Sequence, residues 1–259
     1  MARVNYDQIA LEYDRRFVSS ELEERGKALL ALANLLRAER ILEAGCGTAH
    51  WLSALRPVTH QLVGLDYSDG MLRQAQQRQA GLELVRGSGD RLPFCAQSFD
   101  LVYCVDAIHH FPDQAGFIAQ ALEILNGRGI LAVLGMDPHN PKNSWYANDF
   151  FDGMLETDLK RFPSHANLLE WMKSAGFVNI EVAEVERLDE TRIGAQVLSD
   201  PYLKKNSCSQ MALLSDEVHQ AGMARLSAAV EAERARRGSF IGRTVLCIDM
   251  ITGQKEALV

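Results

Sequence analysis

Between residues 40 and 134, short apolar runs alternate with helical patterns, and this alternation constrains the fold more than any other feature of the chain. The apolar runs are 40–43, 61–66, 82–85, 99–104 and 129–134; helical patterns fill 49–55, 69–79 and 117–125. Strands that are apolar at consecutive positions are buried on both faces. Strands of that kind alternating with helices predict a parallel sheet covered on both sides. Right-handed crossovers then make an open, doubly wound α/β sheet. Two later runs, 177–187 and 243–251, bring the expected sheet to seven strands, mostly parallel. The last strand is expected to run antiparallel and to insert beside 177–187. Such sheets bind ligands at the carboxyl ends of their strands, where the strand order reverses.

The 259 residues are read as a single domain, 1–259. Residues 1–38 form an N-terminal helical lid, with Leu22, Leu29, Leu30, Leu32, Leu35 and Leu36 roughly at helical spacing. Residues 39–135 are the ligand-binding core. Residues 137–164, interrupted by Pro138, Pro141 and Pro163, and the helical stretch 193–237 do not fit the repeating unit. They are expected to form a helical cap that selects the substrate.

The hydrophobic fraction of 47% and charged fraction of 24% are those of an ordinary globular protein. A net charge of −7 argues against a nucleic-acid partner, because gripping a phosphate backbone takes cations. The basic run Arg234-Ala235-Arg236-Arg237 suits a helix C-terminus instead. No segment approaches the roughly 18 apolar residues of a membrane span, and the first residues lack a signal-peptide core. Cys46, Cys95, Cys104, Cys208 and Cys247 are scattered and contain no CxxC pair, so neither a disulfide framework nor a zinc site is expected. A cytoplasmic protein without a membrane partner is expected.

The loop after the first strand reads Glu43-Ala-Gly-Cys-Gly-Thr-Ala-His50. Gly45 and Gly47 let the backbone turn sharply and approach a ligand. A dinucleotide site needs a third glycine five residues after the first, and that position is His50. An imidazole there blocks a pyrophosphate. Asp66 ends the second strand, 66 − 45 = 21 positions after the first glycine, where a carboxylate accepts both ribose hydroxyls. The pattern suits an adenosine without a pyrophosphate; the rival is a nicotinamide-dinucleotide oxidoreductase.

Residues 41–49, ILEAGCGTA, resemble the first motif of class I S-adenosylmethionine-dependent methyltransferases. VGLDYSDGML (63–72) is similar to the second motif, and GSGDRLPF (87–94) with SFDLVYCVDAIHHF (98–111) to the third and fourth. ALEILNGRGILAV (121–133) resembles the strand-five motif, and YDQIALEYD (6–14) the N-terminal signature of many small-molecule members. The resemblance covers residues 1–135 and implies a Rossmann-like fold with S-adenosyl-L-methionine as cofactor. It implies that Gly45, Cys46 and Gly47 meet the methionine part through the backbone, with Glu43 near its amino group. Asp66 would hold the ribose, with Tyr67 and Met71 beside the adenine. Gly89 and Asp90 would border the adenine, Cys104 and Val105 would close the site, and Tyr13 would reach over from the lid. The sequence departs from the pattern at Ala49, where a third glycine is usual, and at Ser88, where an acid often bonds the adenine amino group; a hydroxyl still accepts that bond, more weakly.

A sulfonium carries an activated methyl group, so such an enzyme aligns the acceptor and removes a proton when one must leave. His109 and His110 follow the fourth strand at the active-site edge and are the candidate bases. Asp106, three and four residues earlier, would orient one of them if the loop makes a helical turn. His139 is a second candidate at the same edge. Cys104-Val-Asp-Ala-Ile stands where methylases of planar amino groups carry Asn/Asp-Pro-Pro-Tyr/Phe, which points away from bases and protein amides. Asp137 has no readable co-ligands, so no metal is expected. The run Trp145-Tyr-Ala-Asn-Asp-Phe-Phe151, with Tyr202 and Met211, either lines an apolar acceptor pocket or packs inward as core. The expected reaction is methyl transfer to oxygen, nitrogen or carbon of a small-molecule metabolite. The alternative is a protein of the same fold that binds S-adenosylmethionine without transferring methyl.

Overall fold

Strand β1 (Arg40–Ala44) is buried at every position but its first, the signature of a central strand covered on both faces. Parallel to it on one side runs β2 (Gln61–Asp66), followed outward by β3 (Glu83–Arg86); on the other side run β4 (Phe99–Val105) and β5 (Leu125–Gly135). The register sets Ala44 opposite Leu65 and Glu43 opposite Tyr103. Strand β8 (Ile241–Lys255) returns antiparallel along β5 and also pairs with β7 (Phe177–Ile193) and with β6 (Ser144–Trp145). The order is β3-β2-β1-β4-β5-β8-β6, with β7 on β8.

In this computed structural model, residues 4–7, 10, 23–78 and 81–257 are described. They fall into two compact units, and two of the boundaries lie within β7 and β8. One unit takes in the described residues of Tyr6–Asp137, Pro163–Glu186 and Ile248–Val259; the other, those of Met1–Asn5, Pro138–Phe162 and Arg187–Cys247.

The mostly parallel sheet and its antiparallel last strand are those expected. The strand number is eight rather than seven, because β6 adds two residues that are too few to leave a periodic signal. Strands β7 and β8 also run past the apolar runs at 177–187 and 243–251.

In the first unit, helices α1 (Glu24–Leu36), α2 (His50–Ala54), α3 (Asp69–Arg78) and α4 (Gln114–Ile124) alternate with the strands. Side-chain alternation along the strands separates two apolar cores. Ile41, Leu101 and Tyr103 pack with Leu29 and Trp51 in one; Leu42, Val63 and Val102 pack with Phe117 and Phe177 in the other. Local chemistry ends the helices. Asp113 caps α4 by accepting from Gly116 N at 2.8 Å. Arg37, in the left-handed region at φ 51°, closes α1. Ser164 and Asn167 form a capping box at α6 (His165–Ala175).

The second unit contains α5 (Met154–Arg161), α7 (Ser209–Leu213) and α8 (Asp216–Ala235). Its core gathers Tyr146, Phe151, Met154, Val197, Leu203, Met211 and Leu226. This decides between the two readings of the aromatic run for Tyr146, Phe151 and Met211: they pack inward. Tyr202 is 43% exposed. A Cβ on Gly222 of α8 would lie 2.4 Å from the buried Phe151 ring. Gly222→Ala would therefore overpack this core despite its better helix propensity. A loss of about 1–3 kcal/mol is expected in urea unfolding.

Candidate active site

The turn after β1 is held in a left-handed course by Gly45 (φ 74°), Gly47 (φ 53°) and Ala49 (φ 60°). Three successive N–H groups of this turn donate inside the protein. Gly45 N and Cys46 N donate to Leu65 O, at 2.7 and 3.0 Å, and Gly47 N donates to Asp66 Oδ2 at 2.7 Å. A glycine turn that cradles a phosphate keeps such groups for the ligand. Here the end of β2 takes them, and within the turn Cys46 O accepts from Ala49 N at 2.8 Å.

Asp66 also accepts from Ser68 N, through Oδ1 at 2.8 Å. An ionised carboxylate has about four acceptor positions, so capacity for ribose hydroxyls remains beside these two bonds. Burial raises its pKa, and the bonds from Ser68 and Gly47 act against that rise. Of the residues expected near the adenine, Tyr67 is 66% exposed and Met71 is buried. In the turn after β3, the Ser88 hydroxyl donates to Asp90 Oδ1, so these two side chains form a pair. A Cβ on Gly89 would come within 2.6 Å of the Phe111 ring, and the same ring lies 3.5 Å from a Cβ on Gly45. Phe111 thus packs against the turns after β1 and β3.

Under the β1 turn, Glu43 is 1% exposed and accepts from Tyr103 Oη at 3.2 Å. Burial pushes its carboxyl well above the usual value of 4.5, and nearby Asp66 adds to the rise. A raised acid binds more protons in the folded state, so its contribution to stability is full below 4.5 and is lost as pH rises through the folded pKa. Glu43→Gln should flatten this part of the pH dependence, as read by denaturant unfolding across that window. An unchanged slope would mean that Glu43 does not titrate there. Burial likewise raises the thiols of Cys46 and Cys104. Val105 is buried beside Cys104 at the end of β4.

Asp106 follows in the left-handed region at φ 48°, and the helical turn begins only at Ile108. Its Oδ2 accepts from Arg25 Nη1 at 2.6 Å. The Asp106 carboxylate is thus joined to Arg25 of α1. Arg25 also meets Glu186 at 2.5 Å and Glu23 at 3.2 Å, and its guanidinium lies 5.0 Å from the Trp51 ring centroid. It ties α1 to the turn after β4 and to α2. Partners 81 residues apart leave no local mark in the sequence.

His109 is buried, and His110 is half-buried. His110 Nε2 is hydrogen-bonded to Tyr6 Oη at 2.7 Å, with ring centroids 5.1 Å apart in an edge-on arrangement. Tyr13 lies outside the described residues. His139 belongs to the second unit, where its Nε2 meets Leu159 O at 3.0 Å. The Asp137 carboxylate accepts from His165 N at 2.9 Å. Among the described residues, no three His, Cys, Asp or Glu side chains gather as a metal group, and no helix is long and apolar enough to cross a membrane.

Residues 42–133 match the family model of a methyltransferase domain. The chain is 34% identical over 127 residues to a phthiotriol/phenolphthiotriol dimycocerosates methyltransferase of Mycobacterium leprae, covering 47% of this chain and 46% of that protein. It is 28% identical over 182 residues to a demethylmenaquinone methyltransferase of Staphylococcus epidermidis, covering 66% and 76%. The match spans about half the length of the mycobacterial relatives. A phosphoethanolamine N-methyltransferase 2 of Haemonchus contortus, solved in complex with S-adenosyl-L-methionine, superposes with a TM-score of 0.59 at 18% identity, over 96% of this chain and 57% of that one. That likeness carries the fold. Residues 42–133 are thus similar to a methyltransferase domain, and the fold is one shared with a methyltransferase solved in complex with S-adenosyl-L-methionine.

Proposed function

We propose that this protein transfers the methyl group of S-adenosylmethionine to an oxygen, nitrogen or carbon of a small metabolite, in the cytoplasm, with His110 as general base. The observation that carries the reading is the inward commitment of the N–H groups of residues 45–47. It disfavours a pyrophosphate, whose binding needs such groups free. Asp66 beside this turn suits ribose hydroxyls, so Gly45, Cys46, Gly47 and Asp66 would hold the cofactor. The relatives named for dimycocerosates and for demethylmenaquinone support a small-molecule acceptor.

Bound S-adenosylmethionine supplies a methyl group on a sulfonium, which passes to the acceptor as the C–S bond breaks and a neutral thioether remains. A hydroxyl or amine acceptor loses a proton as the new bond forms. His110 takes that proton, and the Tyr6 hydroxyl at its Nε2 fixes the direction of the ring. His109, more deeply buried, supports the turn. The test is release of S-adenosylhomocysteine against a panel of hydroxyl, amine and carbon-acid metabolites. Acceptor-dependent release supports the reading. Its absence over a broad panel, with the cofactor bound, favours a binding protein.

A further inference from the structure

Residues 6 and 7 are tied to two different turns at the carboxyl edge of the sheet. Asp7 Oδ1 accepts from Ser68 Oγ at 2.6 Å and from Gly70 N at 2.8 Å, in the turn after β2 where α3 begins. The neighbouring Tyr6 is bonded to His110, in the turn after β4. In the sheet, β2 and β4 flank β1, so the dipeptide bridges the turns on either side of the glycine turn.

Gly70 makes the approach possible. A Cβ at this position would lie 3.1 Å from Asp7 Cα and Oδ1 and 3.3 Å from Asp7 O, closer than an ordinary contact allows. Ser68 completes the anchor: its N–H bonds Asp66, its hydroxyl bonds Asp7, and the same oxygen accepts from Met71 N at 3.1 Å. The anchor therefore shares a residue with the proposed ribose site.

We propose that Asp7 is a positioning residue: by fastening the chain to Ser68 and Gly70, it delivers the Tyr6 hydroxyl to His110 and sets the orientation of that imidazole. The catalytic consequence rests on the reading of His110 as the base; the contact itself does not. The Ser68 and Gly70 bonds, in that order, hold the Asp7 carboxyl below its usual range, with Arg86 and Arg73 adding smaller effects in the same direction. The anchor is thus an ionised acceptor at neutral pH. An adjacent pair of side chains is an economical tie, because the backbone between Asp7 and Tyr6 leaves little slack.

The test follows the His110 imidazole by NMR across pH in the full chain, in the wild type and in Tyr6→Phe, Asp7→Ala and Asp7→Asn. Asp7→Ala is expected to move the His110 titration in the same direction as Tyr6→Phe. Asp7→Asn retains an oxygen for both donors and should restore most of the wild-type curve. Turnover in Asp7→Ala should fall on the order of 10- to 10²-fold, as expected for a misplaced catalytic group, and recover in Asp7→Asn. A wild-type His110 titration in Asp7→Ala would overturn the proposal. If the titration moves while His110→Ala keeps wild-type turnover, the positioning role stands and the base assignment fails.

Discussion

Asp66→Ala is expected to weaken binding of S-adenosylmethionine and S-adenosylhomocysteine by about 2–3 kcal/mol, the loss of a charge-assisted contact, or roughly 30- to 150-fold in Kd. Two effects act together. The carboxylate is the group suited to the ribose hydroxyls, and it also fastens the turns on either side of itself through Gly47 N and Ser68 N. Removing it leaves two backbone donors to find new partners and loosens the glycine turn. Asp66→Asn keeps one oxygen as acceptor and should fall between wild type and alanine. Calorimetric titration gives the affinities, and denaturant unfolding in parallel separates a binding loss from a folding loss. An unchanged Kd in Asp66→Ala would remove Asp66 from the cofactor site.

His110→Ala is expected to lower turnover by ~10²–10⁴-fold with cofactor affinity nearly unchanged, the range for removal of a general base. The choice of His110 over His109 rests on burial and on the Tyr6 bond. His109 is 9% exposed, whereas half-buried His110 has its Nε2 oriented by a hydroxyl. His109→Ala should act mainly on stability. An acceptor that is already ionised, or a carbon acceptor, would blunt the loss. Normal turnover in both single variants and in the double variant would remove the pair from the mechanism.

The parallel core was legible because its central strands are short, mostly apolar runs. β2 occupies the apolar run 61–66 end to end, and β1 and β4 extend one residue beyond theirs. The extension of β7 to Ile193 was not legible, because residues 188–193 read Leu-Asp-Glu-Thr-Arg-Ile and are mostly polar. In the site, the local features were legible: a glycine turn, an acid at the end of β2, and a histidine pair at the end of β4. The contacts that join them were not. Asp7 meets Ser68 across 61 residues, and Arg25 meets Asp106 across 81. No spacing rule reaches so far. The YD dipeptide at 6–7 was the one visible trace of the Asp7 and Tyr6 contacts.

Titration of the wild-type chain with S-adenosylhomocysteine and, separately, with NAD tests the central claim most directly, because it asks which ligand the turn after β1 is built to hold. The account predicts saturable binding of S-adenosylhomocysteine and no detectable heat with NAD. Binding of NAD with none of S-adenosylhomocysteine would contradict it.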